Sequence, residues 1–259
     1  MKITAILSAA SFCLAFILVE CRTANAQLPN GVNPGGPMIP AQPPAETPRK
    51  TVELFNGTNF DGFKFCMRNN ADPVKTWSVT NGMIHCNGSA IGYLRTEQAY
   101  SNCVVTVVWR FLYVTPKKNN TGVLVDMQLP DKVWPVCIQN QGKSGRQGDF
   151  FVMSGAECKE HLALGKDANT PVPLKGEPNE NPIGEWNTNV TVCLGNDVQA
   201  IINGKLLNEI TECTISSGFV GIQSEGADFE IREMYLEPLS AIIGGPTITN
   251  SDGTVIIDN

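Results

Sequence analysis

Short apolar-alternating runs punctuated by Asn-Gly turn signals constrain this chain more than any other feature. Asn81-Gly82 separates Trp77-Ser78-Val79 from Met83 to Cys86, and Asn203-Gly204 separates Val198 to Ile202 from Lys205 to Asn208. Both residue types tolerate left-handed backbone, so each pair predicts a hairpin with type I′ turn chemistry. Asn56-Gly57 predicts a further turn. Gly92 to Arg95, Gly122 to Met127, Val190 to Val192 and Phe219 to Gln223 repeat the strand pattern. Cys103 to Leu112, reading CVVTVVWRFL, is apolar at both alternating sets of positions, which predicts a central strand covered on both faces. Phe229 and Ile231 followed by Met234 and Leu236 shift the phase by one residue and predict a β-bulge in the last strand. No amphipathic pattern of three helical turns is visible. About ten to fourteen short strands therefore predict an all-β sandwich or barrel. Residues 152–185, with Pro171, Pro173, Pro178 and Pro182 and no sustained period, read as a long decorated loop.

The strand pattern does not begin at the N-terminus. Lys2 followed by the mostly apolar run from Ala5 to Val19 has signal-peptide length, and Ala24-Asn25-Ala26 fits a small-x-small cleavage site. Residues 1–26 are read as a signal peptide and the mature chain is expected to begin at Gln27. A lipoprotein anchor at Cys21 is the weaker alternative, because Val19-Glu20 lacks the small residues that such processing needs. Residues 27–50 hold Pro29, Pro34, Pro37, Pro40, Pro43, Pro44 and Pro48 and read as an extended Pro-rich linker. The domain is assigned to 51–239, and 240–259 to a C-terminal tail that adds one edge strand or stays loose. No other apolar run has the length of a membrane span. The protein is expected to be exported, either periplasmic or secreted.

Charge narrows the partners. The formal net charge is -6 and basic residues occur at most in pairs, such as Arg49-Lys50. Nucleic acid, which needs clustered Lys and Arg, is excluded as the main partner. Two histidines leave little for a histidine-rich metal site. Of nine cysteines, Cys13 and Cys21 fall in the leader. Cys66, Cys86, Cys103, Cys137, Cys158, Cys193 and Cys213 remain, an odd number with no C-x-x-C pair. Cys193 and Cys213 bracket a predicted hairpin and are the candidate disulfide. Oligomeric state is not legible.

The stretch from Trp134 to Phe151, WPVCIQNQGKSGRQGDFF, combines what a small-ligand site on a sheet requires. Val136 and Ile138 anchor one strand face, Gln139 and Gln141 fall on one face two residues apart, and a glycine-rich loop leads to Asp149 beside two aromatics. An ordinary half-solvated strand and surface turn would read the same way. Asp149 and Glu225, the latter at a strand end, are the candidate general bases; turn capping is the alternative for Asp149. Gln139 and Gln141 are candidate sugar ligands. Arg95 could donate to a ligand or form a rim salt bridge. Arg110, a charge inside an apolar strand, needs a partner and is a candidate substrate-binding residue. Trp134 and Trp186 could stack on a sugar ring or be buried. His85 reads as a strand-face residue.

The order of local motifs is specific. LFNGTNFDGF, GYLRT, VVWRF, NTGVLV, WPVCIQNQ with GDFF, GEWNT, INGKLLNE, GFVGIQSEG and FEIREMYLEPL, spanning about Thr51 to Leu239, together resemble the 3-keto-disaccharide hydrolase family. The resemblance implies a concanavalin A-like (LamG-like) jelly roll of two antiparallel sheets with a carbohydrate ligand, a saccharide or 3-keto-saccharide, on the concave sheet. It implies a hydrolase or lyase that removes the C2 proton of a 3-keto-glycoside, eliminates the glycosidic oxygen and hydrates the product. Such chemistry needs a base, an acid, and an electrophile or metal at the enolate. The metal is unknown, and a divalent cation is left open. One departure matters: the resemblance implies a glutamate where this chain has Gln139, and glutamine cannot accept a proton as a carboxylate does. Either the base is Asp149 or Glu225, or the chain is a non-catalytic, lectin-like binding module. The E-x-D-x-x-E motif of laminarinase-type jelly rolls is absent, which counts against an ordinary two-carboxylate glycosidase.

Overall fold

The structure is a computed structural model and describes residues 41–114, 119–165 and 170–243. The expected leader with Cys21, most of the Pro-rich segment and the end of the tail lie outside the described residues.

The strands in chain order are β1 (Ala45–Glu46), β2 (Val52–Glu53), β3 (Phe63–Met67), β4 (Trp77–Thr80), β5 (Met83–Cys86), β6 (Gly92–Thr96), β7 (Ala99–Tyr100) and β8 (Cys103–Phe111). They continue with β9 (Gly122–Met127), β10 (Cys137–Gln141), β11 (Phe150–Met153), β12 (Asn187–Leu194), β13 (Asp197–Ile202), β14 (Lys205–Ile210), β15 (Phe219–Ser224) and β16 (Phe229–Pro238). Two antiparallel sheets pack face to face as an all-β jelly roll. One is six-stranded, in the order β11-β10-β9-β15-β6-β3. The other is eight-stranded, in the order β14-β13-β12-β8-β16-β5-β4, with β2 also paired to β16. A short parallel pair, β1 with β7, completes the strands.

Of the Asn-Gly pairs at 56, 81 and 203, the latter two make hairpins. Asn81 (φ 53°) and Gly82 (φ 75°) join β4 to β5, and Asn203 (φ 50°) and Gly204 (φ 79°) join β13 to β14. Positive φ at both central residues is the type I′ geometry. Asn56-Gly57 makes a turn but no hairpin. Asn56 Oδ1 accepts from the backbone N–H of Thr58 and Asn59, and the chain passes there from β2 in one sheet to β3 in the other. The phase shift in the last strand is a bulge between Ile231 and Glu233.

β8 sits centrally between β12 and β16. Val105, Val107, Trp109 and Phe111 face the core between the sheets, and Val104 packs outward with Val192, Ile201 and Leu239. Both faces are therefore covered, as its composition requires. Trp77, Trp109, Phe111 and Phe229 form an edge-to-face cluster with ring centroids 4.8–6.4 Å apart.

Two expectations are corrected. The 152–185 segment contains a short helix, α1 (Lys159–Leu164), capped by the Cys158 side chain and ended by Gly165 at φ 59°. The described start of the tail is a helical turn, α2 (Ser240–Ile243), and the rest of the tail lies outside the described residues. The cysteines from Cys66 to Cys213 are free thiols, so the Cys193–Cys213 disulfide is not formed. Register explains it: Cys193 on β12 stands opposite Cys103 on β8, while Cys213 lies beyond β14, its N–H bonded to Asn196.

Candidate functional site

Strand alternation decides what the outer face of the six-stranded sheet presents. On β10, Ile138 packs in the core, and Asn140 bonds across to Asn189 and Thr191 of β12. Gln139 and Gln141 therefore face outward. Register extends them across the sheet. The first row runs Phe151, Gln139, Leu124, Gly221, Arg95. Beside it stand two pairs, Gln141 with Gly122 and Gln223 with Tyr93. Above them lies a cleft of about 570 Å³, lined by Gln139, Gln141 and Gln223 as floor and by Asn120, Trp134, Lys143, Phe151 and Glu225 among its walls. Its size suits a small ligand.

The floor is an amide network. Gln139 Nε2 donates to Gln223 Oε1 (3.0 Å) and to Gln141 Oε1 (3.3 Å). Gln141 Oε1 also accepts from the backbone N–H of Gly142 (3.0 Å) and Lys143 (3.2 Å).

The charged groups sit at one end. Glu225 follows β15, and its carboxylate accepts from Asn120 Nδ2 at 2.7 Å. Burial pushes its carboxyl above the ordinary glutamate value, against the pull of Lys143 and Arg68. It is the sole carboxylate among the described lining residues. The Lys143 ammonium makes no ion pair among the described residues. Trp134 keeps 37% of its surface exposed, with the Arg68 guanidinium 5.8 Å from its ring, and Ser154 Oγ donates to its carbonyl at 2.9 Å. The arrangement offers a carboxylate of raised basicity, a nearby cation, a neutral hydrogen-bonding floor and an aromatic wall.

Four expected site residues are placed elsewhere. Asp149, 2% exposed, does not line the cleft; its carboxylate accepts from Arg146 Nε and from the N–H of Leu174, both at 2.8 Å. It ties the loop at 170–175 to the edge of β11. Arg95 ends the first row but does not line the cleft, and its donors are consumed. Nε and Nη2 grip Asp131 at 2.7 Å each, Nη1 reaches the Thr96 carbonyl at 2.8 Å, and the guanidinium lies 4.0 Å over Phe219. Tyr93 also donates to Asp131, so this cluster fastens the loop that carries Trp134. Arg110 and Trp186 belong to the outer face of the eight-stranded sheet. Arg110 pairs with Glu230 at 2.9 Å, and Trp186 is flanked by Arg110 and Arg232 at 4.4 and 4.8 Å. His85 is a strand-face residue bonded to Asp228 at 2.6 Å.

Sequence reading missed Gln223, Asn120 and Lys143. Gln223 had a visible signal, since it shares strand parity with Glu225. Asn120 and Lys143 lie in loops, where parity gives no direction.

The donor set does not fit a divalent cation. Such ions want several carboxylate or free carbonyl oxygens. Here Gln141 and Gln223 have Oε1 engaged by N–H donors, Glu225 stands alone, and Lys143 is a like charge nearby. No group of three His, Cys, Asp or Glu able to hold a metal occurs among the described residues.

A family model described as a 3-keto-alpha-glucoside-1,2-lyase-like domain matches residues 50–237. Two solved structures from Parabacteroides distasonis ATCC 8503, each described as a candidate glycosyl hydrolase, are similar in fold. One shares 22% identity at a TM-score of 0.54 and covers 73% of this chain and 94% of its own. The other shares 18% at 0.53 and covers 73% and 100%. A structure reported with endo-acting O-glycanases of the human gut microbiota shares 9% at 0.53, covering 73% and 98%. No curated protein matches the chain.

Proposed function

Because the chain belongs to the 3-keto-alpha-glucoside-1,2-lyase-like family, we propose that it is an exported enzyme that cleaves 3-keto-glycosides, with Glu225 as its base. The observation that carries this reading is the position of Glu225: a lone carboxylate in the cleft, held by Asn120 and raised in basicity by burial. A C3 ketone acidifies the C2 hydrogen. Glu225 takes that proton, and the electron pair moves to the C3 oxygen as an enolate. The enolate collapses back to the ketone, a C1–C2 double bond forms, and the C1–O glycosidic bond breaks. The departing oxygen takes a proton from the acid form of Glu225. Water then adds across the double bond, hydroxyl to C1 and hydrogen to C2. The Lys143 ammonium supplies positive charge for the enolate. No redox cofactor is needed because the ketone arrives already made by a separate oxidation.

A second reading, a lectin-like binding module, is favoured by the floor itself, three neutral amides beside an exposed tryptophan. Incubation of the purified protein with a 3-keto-glucoside bearing a chromogenic leaving group separates the two. Release that Glu225→Gln abolishes supports the enzyme. Saturable binding without release supports the module.

A further inference from the structure

We infer that Gln139, Gln141 and Gln223 form a preset recognition array for an uncharged sugar edge that offers one hydroxyl proton beside two acceptor oxygens. The inference rests on the carbohydrate reading of the cleft and specifies what that cleft reads. A backbone N–H can only donate. Gly142 and Lys143 therefore fix which end of the Gln141 amide is oxygen. Gln139 must turn its Nε2 toward that oxygen, and the same Nε2 then requires oxygen from Gln223. Two main-chain groups at the start of the loop thus set three side chains in sequence.

What remains is Gln139 Oε1, Gln141 Nε2 and Gln223 Nε2. None has a partner among the described residues, although the three residues are only 4%, 5% and 3% exposed and line the cleft. None of the three atoms is among the fully buried unpartnered ones, so each opens onto the cleft, where a ligand or solvent can bond it. The pattern of one acceptor and two donors suits a hydroxyl beside carbonyl or ether oxygens. An anionic group at this point would meet Gln139 Oε1 oxygen to oxygen. Because the amides are already fixed, little orientational freedom is lost when the sugar arrives.

Gly122 makes the array possible. It stands opposite Gln141 on β9, and a Cβ there would fall 2.8 Å from Gln139 Cγ and closer still to Nε2. Alanine at this strand position is unstrained in φ but would push the Gln139 amide off both neighbours. Glutamate at 139 would leave Gln141 and Gln223 facing a carboxylate that has no N–H to give.

The test uses the full chain, labelled with ¹⁵N and observed through its side-chain amides. In the free protein the Gln139 amide protons are expected to exchange slowly. Methyl 3-keto-β-D-glucopyranoside is expected to shift the Gln141 and Gln223 amide signals. Gly122→Ala and Gln139→Glu are expected to keep the thermal midpoint within a few degrees and to weaken binding about tenfold or more. The loss in Gln139→Glu should grow as pH rises and the new carboxylate ionises. Fast exchange at Gln139, or binding within about twofold of the parent in both variants, would overturn the array while leaving turnover of the 3-keto-glucoside intact. Absence of both binding and turnover in the parent protein would overturn the carbohydrate reading, and the array with it.

Discussion

Replacing Arg95 by methionine tests how the cleft wall is attached to the floor. The guanidinium makes two bonds of 2.7 Å to Asp131 and one of 2.8 Å to the Thr96 carbonyl, and covers Phe219 at 4.0 Å. Breaking a buried pair by removing one partner costs about 3–5 kcal/mol. The Asp131 side chain is 35% exposed, so water can take back part of its charge. Methionine also keeps the aliphatic packing on Phe219. The expected loss is therefore about 2–3 kcal/mol. Urea unfolding at pH 7 should show a lower midpoint with an unchanged slope. In a double-mutant cycle with Asp131→Asn the two losses should couple by about 1–3 kcal/mol rather than add. A cost under about 1 kcal/mol, or strict additivity, would refute the claim that this pair fastens the Trp134 loop. Acid supplies a second check. Burial pushes the Asp131 carboxyl up, but the Arg95 hydrogen bonds and charge, with Tyr93, outweigh it and hold the value below the ordinary range. Its stabilisation is thus present above the unfolded value near pH ~4 and lost as pH falls through the folded value. Arg95→Met should remove that component of acid sensitivity.

Two further outcomes are expected. Activity should rise with pH along a limb set by ionisation of Glu225, above the ordinary glutamate range because burial raises it; Lys143→Met, which removes a charge that lowers it, should move the limb to higher pH in pH–rate profiles. Asp126 is buried, burial pushes its carboxyl up to about 7, and its Oδ2 has no partner. The native state then holds the proton more tightly than the unfolded chain, so stability should fall as pH rises from ~4 toward 7. Asp126→Asn, which tolerates the φ of 53°, should flatten that slope in urea titrations at pH 4.5 and 8.

Local chemistry was legible in the sequence, and long-range assignment was not. The hairpins at Asn81-Gly82 and Asn203-Gly204 and the bulge near Ile231 follow from turn residues and period-two phase, which act over a few positions. Parity placed Gln139 and Gln141 on one face. It could not say which sheet a strand joins, so Arg110 and Trp186 were grouped with the site although register sets them on the other sheet. Parity also fails in loops. Gly148 at φ 97° turns the chain just before Asp149, whose carboxylate is drawn to Arg146 and Leu174 instead of the cleft. The α1 helix escaped notice because six residues are too few to establish a helical period. The Cys193–Cys213 pairing rested on sequence bracketing, whereas the β8–β12 register sets Cys193 opposite Cys103.

The most direct test of the account is the rate of leaving-group release from a chromogenic 3-keto-glucoside by the purified protein and by Glu225→Gln and Asp149→Asn. Release by the parent protein, reduced at least ~100-fold in Glu225→Gln and changed little in Asp149→Asn, is the expected result. Release that survives in Glu225→Gln, or that disappears only with Asp149→Asn, would contradict it.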